Sequence, residues 1–115
     1  MTRLQQMQIE RGAANERLRL ETRRLLHATL TELLTWQTVI LFGSLTKADQ
    51  FGDFSDVDLA LADEPPDLSV YQLTSLLAER LGRRVDMLLL SECRFHEKIE
   101  REGETWSCRV DYSPP

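Results

Sequence analysis

The chain is poor in the features that would settle its class at a glance. It has two cysteines, Cys93 and Cys108, too few for a disulfide framework or a zinc site by themselves, and they read as reduced thiols. It has no apolar run near the roughly 20 residues that a membrane span needs. The first residues, Met-Thr-Arg-Leu-Gln-Gln, lack the apolar core of a signal peptide, so a cytoplasmic protein without membrane contact is expected. It also lacks a basic footprint. The net charge of −5 argues against direct binding to nucleic acid. Repeats and low-complexity stretches are missing too. A chain of 115 residues suits one domain, and its 42% hydrophobic content suits an ordinary core that buries roughly two-thirds of the unfolded surface.

The distribution of charge is more informative than its sum. Residues 1–36 carry six Arg against four Glu, residues 45–70 carry Lys47 against seven acids, and residues 71–115 carry seven bases against eight acids. The acids thus gather in the middle third. Such a cluster repels itself unless a cation sits there.

Hydrophobic spacing gives an α/β order. Residues 15–35 read as an amphipathic helix through Leu18, Leu25, Leu26, Thr29, Leu30, Leu33 and Leu34, with Asn15 as candidate cap. Residues 2–11 either continue it or fray. Residues 1–14 form an N-terminal helical extension, 15–111 the main domain and 112–115 a loose tail. Thr38–Phe42 reads as a buried strand, residues 44–51 as a short helix, and 52–55 as a turn that includes Asp53. A second strand covers 57–61. A helix over 69–81 ends at Gly82, where a C-cap glycine belongs. A third strand covers 84–90. A helix capped by Ser91 runs to about Arg101 and ends at Gly103, and 105–110 forms a last strand.

Chemistry concentrates where these elements meet. Asp56 and Asp58 are spaced i, i+2 and face one way along a strand, while Val57 faces the other. A hard divalent cation satisfies such a pair; Mg²⁺ takes one or two carboxylates plus substrate phosphates. Asp86 lies in an apolar run, where a carboxylate is costly unless it is paired or functional, and it completes the cluster if its strand lies beside 57–61. Gly43 lets backbone approach a phosphate, Ser44 offers a hydroxyl at a helix start, and Lys47 adds a positive charge. Phosphoryl or nucleotidyl transfer is the reaction this layout supports. Gly-Ser alone or Asp-x-Asp alone carries little; the ordered combination carries much more. His27 and His96 read as surface residues. Arg17, Arg19, Arg23 and Arg24 read as a solvated helix face, with a partner-binding face as alternative. Trp36 and Trp106 read as packing residues.

Leu-Phe-Gly-Ser at 41–44, Ser-Asp-Val-Asp-Leu-Ala-Leu at 55–61, Arg-Arg-Val-Asp-Met-Leu at 83–88 and Ile-Glu-Arg-Glu-Gly-Glu-Thr-Trp at 99–106 together resemble the minimal nucleotidyltransferase (MNT) family of the DNA polymerase β-like superfamily. The resemblance covers about residues 20–108. It implies a small mixed β-sheet flanked by helices, with Mg²⁺ and ATP. By it, Gly43, Ser44 and Lys47 hold nucleotide, Asp56 and Asp58 hold metal, and Asp86 joins them as metal ligand and activates the attacking hydroxyl. It further implies an antitoxin that transfers AMP to a tyrosine of a HEPN-domain RNase toxin encoded beside it, with homo-oligomers possible. One alternative is an antitoxin that acts by binding only. Another, a transferase for a small hydroxyl compound, ranks last because such relatives carry a further substrate domain. The family often has Arg-Ala-Arg-Gly after Gly-Ser; here Leu45-Thr46-Lys47-Ala48 carries one positive charge fewer and no glycine, which predicts a weaker hold on phosphate.

Overall fold

The computed structural model describes residues 1–34 and 37–108, with the side chain of Cys108 excepted. Trp36, the end of the expected last strand at Val110 and the expected tail at 112–115 lie outside the described residues. Helix α1 spans Arg3–Leu33 without a break. Its start is fixed by a capping box: the Thr2 hydroxyl accepts from the Gln5 N–H, and the Gln5 side chain accepts from the Thr2 N–H. Asn15 is therefore not the cap. Gly12 costs the helix about 1 kcal/mol, which the helix formers around it absorb. Only the second half of α1 is buried, through Thr22, Leu26, Thr29 and Leu30; Leu25 points outward.

Four strands follow: β1 (Gln37–Phe42), β2 (Val57–Leu61), β3 (Val85–Leu89) and β4 (Glu104–Cys108). They form one mixed sheet in the order β3-β2-β1-β4. β1 runs antiparallel to β2 and β4, whereas β2 and β3 are parallel. Parallel neighbours need a crossover. Helix α2 (Val70–Leu81) supplies it, capped by Ser69 and Gln72 and closed by Gly82 in the left-handed region.

Period-2 alternation divides the sheet into two faces. Val39, Leu41, Val57, Leu59, Leu61 and Val85 pack with α1 and α2 into the main core. Ile40 and Ala60 point the other way, where Leu90, Ile99 and Cys93 cover them. The second cover is thin. It consists of a 3-10 turn (Leu90–Glu92) and the seven-residue helix α3 (His96–Glu102), which ends at Gly103.

Two expected helices are shorter than the sequence suggests, for one reason. Residues 44–51 do not form a helix; a 3-10 turn covers Gly43–Thr46 and the chain then runs irregularly to β2. Leu45 and Phe51 are both buried in the main core. On one α-helix, residues six apart stand roughly 120° from each other, at the two edges of an apolar face, where neither is deeply buried. Cys93 and Ile99 pose the same conflict over the thin face. The chain there breaks between its 3-10 turn and α3, and Ser91 sits in the turn instead of capping the helix.

Candidate active site

The sheet register builds the site. Asp58 stands opposite Phe42 on β1 and beside Asp86 on β3, so one row crosses three strands on the thinly covered face. Asp56 immediately precedes β2. Gly43 follows Phe42 directly and adopts φ 77°. A Cβ there would overlap the Asp58 carboxylate, so no side chain fits. The backbone turn that carries Ser44 is thereby pressed against the middle carboxylate. Ser44 is half-buried and its carbonyl accepts the Lys47 N–H at 3.1 Å. Lys47 is exposed and lines a cleft together with Gly43 and Thr46.

The electrostatics mark Asp58. Burial pushes its carboxyl above the usual aspartate range, and the charges of Asp86 and Asp56 push it further. Arg84 opposes them. Its guanidinium lies 3.4 Å from Asp86 and 4.0 Å from Asp56. The three carboxylates are neighbours rather than a closed cage: among the described residues, no three His, Cys, Asp or Glu side chains converge as a ready-made metal site. As a donor set they still suit a hard cation. They are all oxygen donors, and burial together with the neighbouring acids disfavours the charged form of Asp58, which a cation would offset.

The loop before Asp56 is pinned by a residue whose role the sequence does not reveal. Arg83 lies over the Phe51 ring, 4.5 Å from its centroid, and donates to the carbonyls of Ser55 at 2.8 Å and Gly52 at 3.3 Å. Within the same loop, the Ser55 hydroxyl accepts the Gly52 N–H at 2.9 Å, and Asp53 is an exposed turn residue, as expected. Arg84 was legible in principle, since the i, i+2 spacing to Asp86 puts both on one face. Arg83 acts across 28 residues and leaves no local signal.

A second support comes from α1. Arg19 donates to the Leu45 carbonyl at 3.1 Å and Arg23 does so at 3.4 Å. Arg23 also pairs with Glu104 on β4 and lies 5.4 Å over the Trp106 ring. Two of the four arginines expected on a solvated face thus brace the turn after Ser44. His27 is exposed and meets Trp106 edge-on at 5.5 Å, and His96 is exposed at the start of α3; neither belongs to the carboxylate row.

A row of carboxylates beside a tight glycine turn can hold a cation and an anion side by side. No curated protein matches the chain in sequence. A chain from a crystal structure of a toxin–antitoxin with AMP-PNP shares the fold with a TM-score of 0.55 at 24% identity, covering 70% of this chain and 68% of that one. The sequence matches the family described as "Polymerase beta, Nucleotidyltransferase" over residues 18–111, a span that holds the glycine turn, the whole carboxylate row and all four strands. The chain belongs to the polymerase β nucleotidyltransferase family.

Proposed function

We propose that this protein is a Mg²⁺-dependent adenylyltransferase that moves AMP from ATP onto a tyrosine hydroxyl of a HEPN-type RNase toxin and acts as its antitoxin. The observation that carries this reading is Gly43 seated on Asp58, with Asp86 in register beside it. The shared fold of a chain from a toxin–antitoxin structure with AMP-PNP supports it.

In this reading the Gly43-Ser44 turn receives the phosphate tail, since a glycine backbone allows the closest approach. Lys47 adds charge from the cleft wall. Asp56 and Asp58, with Asp86, hold Mg²⁺, which when bound neutralises charge on the phosphates. Asp86 takes the proton from the acceptor hydroxyl. That oxygen then bonds to the α-phosphorus, the α–β bridging bond breaks, and pyrophosphate leaves. Arg83 keeps the loop before Asp56 in place throughout.

A second reading is favoured by Arg84, which already supplies the row with a cation. In it the protein neutralises its partner by binding only. Incubation with α-labelled ATP, Mg²⁺ and the partner separates the two. Transfer of label to a partner tyrosine supports the enzyme, with Asp86→Asn lowering the rate on the order of 10²–10⁴-fold while ATP still binds. A neutralised partner without label establishes the binding-only reading. Near-normal turnover in Asp86→Asn makes that residue structural.

A further inference from the structure

Beside the carboxylate row lies a cleft of about 450 Å³, within the range of small-molecule pockets. Its apolar lining is Phe42, Leu88, Phe95 and Ile99, and its charged lining is Lys47, Lys98 and Glu102. Leu88 follows Asp86 by two residues on the same strand face, a step of about 7 Å. Phe42 pairs with Asp58. Gly43 belongs to both cleft and carboxylate site. Phe95 is 68% exposed although it borders this cleft, and Leu88 is 40% exposed.

We propose that this cleft is the nucleobase subsite of the proposed ATP site, with the base lying against Phe95. The inference rests on the nucleotidyltransferase reading and extends it to the part of the substrate that distinguishes a nucleotide from plain triphosphate. Two features choose this occupant. The cleft shares the Gly43 turn with the carboxylate site, so one ligand with a flat apolar head and a polyanionic tail spans both. Two lysines against one acid, Glu102, leave the lining net positive, which complements a ligand that carries its own anions. An aromatic side chain from an acceptor protein would fill the apolar part but bring no anion for the excess positive charge.

The test is equilibrium binding of ATP and of inorganic triphosphate, both with Mg²⁺, to the wild type, Phe95→Ala and Phe95→Trp. The Phe95 side chain makes no capping hydrogen bond to α3, so its replacement spares the helix start. The expected result is roughly tenfold weaker ATP binding in Phe95→Ala, the scale of one lost base–aromatic stack, with triphosphate binding unchanged and ATP affinity kept in Phe95→Trp. Equal losses for both ligands, or no loss for either, overturn the subsite. Unchanged ATP affinity with weakened partner binding assigns the cleft to the acceptor and also overturns it. Wild-type protein that binds triphosphate as tightly as ATP overturns the base subsite alone. Wild-type protein that binds neither overturns the nucleotidyltransferase reading together with it.

Discussion

Asp58 is the residue at which stability and the proposed metal binding pull apart. Its carboxyl is raised by burial first and by Asp86 and Asp56 next. A carboxylate whose folded pKa is raised costs stability once the pH exceeds its unfolded value, because the folded state resists ionisation. Below that value it is neutral in both states and costs nothing. Asp58→Asn is therefore expected to melt higher than the wild type at neutral pH without divalent ions, with the difference vanishing in acid. Added Mg²⁺ is expected to raise the wild-type melting temperature more than that of the variant. Thermal melts across pH, with Mg²⁺ and with chelator, check both. A wild type that is the more stable at neutral pH in chelator contradicts the assigned cost. Asp58 and Asp86 stand out in the sequence because charged residues inside apolar strands are conspicuous. The overlap of Gly43 with Asp58 does not, since it depends on an antiparallel pairing that no local pattern encodes.

Among the elements, α1 and β4 act as one brace for the Gly43-Ser44 turn. Arg19 and Arg23 reach the Leu45 carbonyl, and Glu104 holds Arg23 while accepting from the Trp106 indole. The hydrogen bond from Arg23 is the chief reason that the Glu104 carboxyl sits below its usual range, with Trp106 helping and burial opposing. A depressed carboxylate contributes stability above its unfolded pKa and loses it as pH falls through the folded value. Acid is thus expected to erode the wild type over that window, and Glu104→Gln is expected to flatten the profile. At neutral pH the variant should be less stable by about 1 kcal/mol, a modest figure because the pair is half exposed. Urea titrations at several pH values measure it, and parallel profiles for the two proteins would remove the brace from the account of stability. The strands and α2 were legible from period and capping residues. The short helices were not, because burial of Leu45 with Phe51, and of Cys93 with Ile99, overrides helical periodicity.

At the scale of the molecule, the radius of gyration is 16.0 Å, against about 13 Å for a compact domain of this length. The excess comes from α1. Residues 1–14 are all exposed, including Leu4 at 65%, Met7 at 55% and Ile9 at 57%. Leu4, Met7, Ala14 and Leu18 follow a spacing of roughly 3.5 residues, interrupted by Arg11, as in helices that meet another helix. An isolated helix of this length is marginal in water; here the buried second half extends it and the capping box closes it. We propose that residues 1–14 contact a second protein chain, either another copy or the proposed toxin partner. Deleting residues 2–12 is expected to weaken assembly and leave the fold intact, because Leu26, Leu30, the sheet and the carboxylate row all lie later. Light scattering with and without partner reads the mass, and circular dichroism reads the fold. An unchanged mass in both mixtures would show that the extension has no part in assembly, while loss of cooperative melting would show that it belongs to the core of the fold.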